Sequence, residues 1–172
     1  VIALAAVARK RYPKPAVKAK RVKYEEGLNY LVKGEEPDRA FKLFVRATKT
    51  FPGLCLTTIF PAKVKEKYGL NVPIYWLSDI TTTEEKTLHP ERLEFEITKT
   101  IIDFVKKTKG AVMIEGIQYL VHNNGLERTL EFLHSVKDII ATNHGTLIVS
   151  VNPAVFKEAE LGKIKEVFDR VV

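Results

Sequence analysis

The chain of 172 residues has a single cysteine, Cys55. One cysteine excludes an internal disulfide framework and any zinc or iron–sulfur site built from several thiolates. It is typical of a protein kept in a reducing, cytoplasmic compartment. No run of about 18 apolar residues is present, so no segment of the given sequence spans a bilayer unaided. Hydrophobic residues make up 45% of the chain, which suffices for the core of one domain of this length.

Acidic residues are missing from the first 24 residues, which carry eight cations. Residues 25–172 hold the other 20 cations and 21 acids, so this larger part has a formal charge of −1. We therefore expect a basic N-terminal arm (residues 1–24) and one folded domain (residues 25–172). The cations of the arm and the two tyrosines among them are Arg9, Lys10, Arg11, Tyr12, Lys14, Lys18, Lys20, Arg21, Lys23 and Tyr24. The tyrosines can stack on nucleic-acid bases, or they are ordinary aromatic residues of a tail.

Two interpretations fit residues 1–8, which read VIALAAVA and are followed at once by cations. In the first, they are the end of a membrane helix, and the cations after them place the domain on the cytoplasmic side. In the second, they form a short alanine-rich helix that packs on a partner.

Glutamine and methionine are scarce, with Gln118 and Met113 as the sole examples, whereas lysine outnumbers arginine by 20 to 8. This bias is typical of thermophile proteins. It predicts a hyperthermophilic source, with an ordinary lysine-rich composition as the alternative.

Strand and helix patterns alternate after the arm. Helix patterns are spaced so that each joins two strands by a right-handed crossover, which predicts a three-layer α/β fold with a mostly parallel sheet and helices on both faces. Gly69, Gly110 and Gly145 follow predicted helices, as left-handed C-cap glycines do. Residues 79–90 and 122–125 are predicted loops. The predicted strands are 28–33, 54–59, 74–78, 111–117, 146–151 and 169–172, and the predicted helices are 37–49, 62–68, 91–109, 126–142 and 155–168.

The turn after the first predicted strand is the place where such a fold would hold a phosphate loop. A phosphate loop needs a glycine, four residues, and then Gly-Lys-Ser/Thr. Gly34 fits the first position, but Arg39, Ala40 and Phe41 occupy the other three. Acidic residues also stand where phosphates would lie. The sequence therefore predicts no binding of nucleoside triphosphates and no cofactor.

Glu115 and His122 are the other candidates for chemistry. Glu115 ends the most apolar predicted strand, where a Walker B acid would hold a metal-bound water. Without a phosphate loop, we interpret it as a structural carboxylate that caps or bonds to the following loop. His122 could act as a base or a ligand, but it has no cysteine or acid at metal spacing. We predict no catalytic residue and no metal site, and an enzyme with an unrecognised site around Glu115 and His122 stays open as an alternative.

Five segments then follow a familiar order: 31–37 (LVKGEEP), 52–57 (PGLCLT), 65–70 (KEKYGL), 74–78 (IYWLS) and 114–120 (IEGIQYL). Over about residues 28–172 the chain resembles the archaeal domain of unknown function 835 family. That family is itself similar to the KaiC and RecA ATPase core with its phosphate loop lost. The resemblance implies a RecA-like or Rossmann-like sheet and an archaeal source. It transfers no catalytic residue, and it makes Gly34, Arg39, Ala40, Phe41 and Glu115 positions of a degenerate nucleotide site.

These observations predict a non-catalytic, NTPase-like binding module whose basic arm docks on a polyanion. RNA or a ribosomal subunit is the favoured partner, and an anionic membrane surface is the alternative. The second alternative function is the cytoplasmic domain of a membrane-tethered archaeal signalling or scaffold protein. A homodimer is expected because RecA-like relatives assemble.

Overall fold

The computed structural model describes residues 23–172, so most of the basic arm lies outside the described residues. Apolar runs form the strands, and amphipathic segments between them form the helices. The strands are β1 (Tyr30–Lys33), β2 (Gly53–Thr57), β3 (Ile74–Leu77), β4 (Thr87–Leu88), β5 (Ala111–Ile114), β6 (Thr146–Val151) and β7 (Arg170–Val171). The helices are α1 (Asp38–Thr48), α2 (Pro61–Tyr68), α3 (Thr98–Lys107), α4 (Ile117–Asn124), α5 (Leu126–Thr142) and α6 (Glu158–Lys165).

The seven strands form one sheet in the order β4-β3-β2-β5-β6-β1-β7. Every pair of neighbouring strands is parallel. The register places Val112 of β5 between Leu54 of β2 and Leu147 of β6. The predicted α/β class, a three-layer and parallel RecA-like sheet, is confirmed.

Side chains alternate along each strand and build a separate core on each face of the sheet. In β2, Leu54 and Leu56 join the core beneath α3 to α6, whereas Cys55 joins the core beneath α1 and α2. The helices that follow β1 and β2 therefore cover one face, and those that follow β5 and β6 cover the other. At two places, β2 beside β5 and β1 beside β6, the helices that follow two adjacent strands lie on opposite faces of the sheet. Such switch points open a crevice at the carboxyl ends of the strands, where this class of fold binds ligands.

The predicted loop 122–125 was wrong, because α4 extends through Asn124. The amide groups of Asn123 and Asn124 donate to the carbonyls of Tyr119 and Leu120, four residues earlier, and so stay within the helix instead of forming a turn. The break between α4 and α5 comes at Gly125, whose φ is +82°. Glycine takes this left-handed conformation without strain.

The predicted helix 91–109 was also wrong in its first half, since a π-helical turn (Leu93–Ile97) precedes α3. The short strand β4 lies within the predicted loop 79–90. Only Gly69 of the three predicted left-handed glycines has a positive φ. Gly110 and Gly145 are buried where a Cβ would strike neighbouring atoms at 2.5 Å and 2.8 Å. No helix within residues 23–172 has the length and apolarity needed to cross a membrane.

Candidate functional site

The turn after β1 lies at the crevice between β1 and β6. The Gly34 amide donates to the carbonyl of Val151 at the end of β6, with an N···O distance of 3.0 Å. Arg39, in the first turn of α1, donates from its guanidinium to the carbonyl of Lys33 at 3.1 Å. Four residues separate β1 from α1, and the exposed Glu35 and Glu36 are two of them. The turn is therefore held by contacts within the protein and presents negative charge to an approaching ligand.

The residues at the lysine and hydroxyl positions of a phosphate loop face the core instead. Ala40 and Phe41 both have an exposed fraction of 0%. The ring of Phe41 stacks on Tyr68 of α2 with 4.2 Å between centroids. This stacking explains why an aromatic residue stands at a position where a phosphate loop has a small hydroxyl: here the side chain joins α1 to α2.

Asp38, the first residue of α1, is engaged by the end of α2. Its carboxylate accepts a hydrogen bond from the Tyr68 hydroxyl and lies 2.9 Å from the Lys67 ammonium. The hydrogen bonds from Lys67 and Tyr68 lower the pKa of Asp38 below its usual range. Burial and the bond to Asp38 raise the pKa of Tyr68 to about 12. Asp38 therefore stays ionised at neutral pH, and its charge is paired with Lys67 of α2.

Glu115 follows β5 at the second crevice, between β2 and β5, and is 7% exposed. Its Oε2 accepts three hydrogen bonds: from the Thr57 hydroxyl at 2.7 Å, the Thr58 amide at 2.9 Å and the Thr58 hydroxyl at 2.9 Å. The structural interpretation of Glu115 named the following loop as its partner, and this was wrong, since all three donors stand at the end of β2. The carboxylate joins two central strands where their chains diverge.

Gly116 permits this close approach. A Cβ at Gly116 would lie 2.4 Å from Cγ2 of Thr58, and the φ of Gly116 is +98°. Both observations require glycine, because no other residue combines a missing Cβ with easy access to positive φ. The threonine pair at the end of β2 was missed in the sequence. Thr57 and Thr58 stand at the end of an apolar strand, and the same edge of the sheet was expected to hold Glu115. That placement was the signal available in the sequence.

A cavity of about 270 Å³ opens beside this crevice and is lined by Thr58, Trp76, Leu77, Ser78 and Tyr119. The indole N–H of Trp76 donates to the carbonyl of Thr58 at 3.1 Å, and the ring of Phe60 meets Trp76 edge-on at 5.3 Å. The lining contains aromatic and hydroxyl groups but no cation. It therefore suits a small, largely uncharged group and not a polyphosphate.

The other candidate residues lie apart from this crevice. His122 is exposed in the last turn of α4, and no hydrogen bond within residues 23–172 joins it to Glu115. In the same residues, no group of three or more His, Cys, Asp or Glu side chains is placed to hold a metal ion. Gly34 follows β1 and Glu115 follows β5, and β6 lies between these two strands.

Two residues of the basic arm fall within the described part of the chain. Lys23 is exposed. Tyr24 is partly buried, stacks on Tyr30 with 6.3 Å between centroids, and donates from its hydroxyl to Thr146 at 3.3 Å. The ring of Tyr24 thus anchors the start of the domain. The arm residues up to Arg21 lie outside the described residues, and their part in binding stays a prediction.

Fold and site together define a class of protein: a RecA-like α/β domain in which other residues replace those of the phosphate loop. The chain belongs to the family described as "Protein of unknown function (DUF835)", whose model matches residues 33–168. The predicted family is therefore confirmed. The chain matches none of the curated proteins.

Two solved archaeal structures share the fold. One is PH0250 of Pyrococcus horikoshii OT3, with a TM-score of 0.60, 11% identity, and 86% of this chain and 82% of that chain covered. The other is the flagellar accessory protein FlaH of Methanocaldococcus jannaschii, with a TM-score of 0.52, 15% identity, and 85% and 70% of the two chains covered. At these identities the likeness concerns the fold.

If Glu115 has a structural role, its replacement by Gln should lower stability less than its replacement by Ala. Glu115→Gln keeps an oxygen that can accept the three hydrogen bonds, and should lower the free energy of unfolding by about 1 kcal/mol. Glu115→Ala leaves the buried Thr57 hydroxyl without its acceptor, and should cost about 3 kcal/mol. Urea unfolding followed by circular dichroism measures both. Glu131→Gln, on the exposed face of α5, is the matched control. Equal stability of all three variants would show that the carboxylate contributes no structural bond.

Proposed function

We propose that the chain is a non-catalytic, NTPase-like binding module that docks on a polyanion through its basic N-terminal arm, with RNA or a ribosomal subunit as the partner. The proposal is supported above all by one observation: the two positions that would supply a phosphate loop with lysine and hydroxyl are the fully buried Ala40 and Phe41. A RecA-like sheet is thereby retained as a scaffold without the groups that bind phosphate in that class.

The electrostatics of the turn support the same proposal. Glu35 and Glu36 are exposed beside the ionised Asp38, and Arg39 turns its guanidinium to the carbonyl of Lys33. A triphosphate placed here would meet the exposed Glu35 and Glu36. Since like charges in contact repel, neither binding nor phosphoryl transfer is favoured.

The arm supplies the attraction that the turn lacks. Its eight cations and missing acids are the pattern of a segment that neutralises backbone phosphates. The same charges would also attract an anionic leaflet, at about 1 kcal/mol per cation near the surface, so a membrane-tethered domain is the competing function. Self-association as a dimer belongs to the proposal, because RecA-like domains present broad surfaces for assembly.

The whole chain should show no heat of binding when it is titrated with Mg-ATP or Mg-GTP in a calorimeter. The reason is the absence of a lysine and a hydroxyl at the turn. A native circular dichroism spectrum of the same preparation is the control that the protein is folded. Micromolar affinity of the whole chain for Mg-ATP would contradict the proposal.

RNA and membrane partners are distinguished by presenting both to the whole chain. Single-stranded RNA, purified ribosomal subunits and vesicles with and without anionic lipid are compared at equal salt. Preference for RNA or subunits supports the proposal. Preference for anionic vesicles, with weak binding to RNA, would instead support the membrane-tethered alternative.

A further inference from the structure

The charges of the folded domain are unevenly distributed among its elements. We call α1 with its C-cap and α2 (residues 38–49 and 61–68) the basic layer. It contains seven cations and two acids. The rest of residues 25–172 contains 13 cations and 19 acids. The net charge of the whole domain is close to zero, but the basic layer alone has a net charge of +5. The electrostatic field of the domain is therefore strongly uneven.

The cations of α1 form a stripe opposite its buried side. Arg39, Lys42, Arg46 and Lys49 recur at a spacing of three or four residues, and that spacing keeps them on one side of a helix. The opposite side carries the buried Ala40, Leu43, Phe44 and Ala47. Lys63 and Lys65 of α2 are also exposed. Lys42, Lys49 and Lys63 make no side-chain hydrogen bond or ion pair with any residue among 23–172, and all three are exposed there.

The surface of the basic layer is concave. A cavity of about 330 Å³ opens between the two helices, lined by Lys42, Val45, Arg46, Lys67 and Tyr68. The Lys67 ammonium lies 5.2 Å from the centroid of the Tyr68 ring. Cations around a hollow with an aromatic wall are the arrangement with which proteins follow a nucleic-acid backbone.

We propose that the basic layer is a second docking surface for RNA, with backbone phosphates seated along the stripe of α1 and at the cavity. The inference rests on the proposed function, because it takes the same class of partner as the arm. Charge complementarity supports RNA, and the distribution of apolar side chains favours RNA over a membrane. A membrane-binding surface combines cations with inserted apolar side chains. The large exposed apolar residues of the described chain are Phe60, Ile80, Phe95, Val155 and Val171, and of these Phe60 alone adjoins the basic layer.

The test replaces three cations of the basic layer in the whole chain. The triple variant Lys42→Gln/Lys49→Gln/Lys63→Gln is titrated onto labelled single-stranded RNA across a salt series, with fluorescence anisotropy as the readout. Three lost phosphate contacts should reduce the slope of log affinity against log salt by about 2. The affinity at low salt should fall by about tenfold.

The matched control is Lys106→Gln/Lys109→Gln/Lys163→Gln, which removes the same charge outside the basic layer. It should keep the affinity within about twofold and the slope unchanged. Equal losses in both triple variants, or no loss in either while the whole chain still binds RNA, would overturn the inference and leave the proposed function standing. Failure of the unmodified chain to bind RNA would overturn the proposed function itself. Loss of vesicle binding in the first triple variant, with RNA binding intact, would assign the surface to a membrane instead.

Discussion

Replacing Phe41 by alanine is expected to lower the free energy of unfolding by about 3–5 kcal/mol, the cost of truncating a fully buried phenylalanine. Phe41 has no exposed surface, and its ring stacks on Tyr68 with 12° between the ring planes. The truncation removes the contact that joins α1 to α2, and leaves a cavity beneath both helices. The large expected effect follows from the burial of Phe41. The same burial places an aromatic ring where a phosphate loop has a hydroxyl.

Chemical unfolding followed by circular dichroism measures the effect, with Phe95→Ala as the matched control. Phe95 is 83% exposed in the π-helical turn, so its truncation should change stability by less than about 0.5 kcal/mol. If Phe41→Ala does not fold, Phe41→Leu keeps most of the volume and should cost about 1.5 kcal/mol or less. Similar stabilities for the Phe41 and Phe95 alanine variants would show that the α1–α2 contact does not support the core.

The central part of the fold was predictable because its signals are local. The strands β2, β5 and β6 are buried on both faces, and a strand of this kind is a continuous apolar run in the sequence. The helical conformation of residues 122–124 was not predictable in this way, since Asn-Gly pairs are usually turn signals. Contacts within α4 overrode that signal, because the asparagine amides bond to carbonyls of the preceding helical turn.

In the candidate site, too, some features were predictable from local sequence signals and others were not. The replaced phosphate-loop residues were predictable, because a phosphate loop is defined by residue type at fixed spacing. The partners of Glu115 were not, since Thr57 and Thr58 reach it through strand order and stand 57 or 58 positions away in the sequence. The basic layer was missed for another reason. Summing charge over residues 25–172 cancels the cations of α1 and α2 against acids elsewhere in the domain, and only the assignment of both helices to one face of the sheet brings these cations together. The predicted hyperthermophilic source stays a prediction.

Removal of the arm is expected to give the largest loss of RNA affinity. A chain that begins at Glu25 lacks all eight cations of residues 1–24. With roughly 0.7 counterions released per neutralised phosphate of a single strand, the arm contributes at most about 6 to the salt slope. The affinity for single-stranded RNA should fall by roughly a hundredfold or more at moderate salt. A weaker affinity should remain, carried by the basic layer, and it should disappear when Lys42, Lys49 and Lys63 are also replaced.

The matched control keeps the length of the arm and removes its charge. In a whole chain with the eight arm cations replaced by glutamine, RNA affinity should match that of the chain beginning at Glu25, because the attraction is electrostatic. Near-normal affinity in this control would instead assign binding to the apolar residues or tyrosines of the arm. If the chain beginning at Glu25 binds RNA as tightly as the whole chain, the arm is not a docking segment. The basic layer is then the surface on which the contact must be sought, since it carries the one large excess of positive charge within the folded domain.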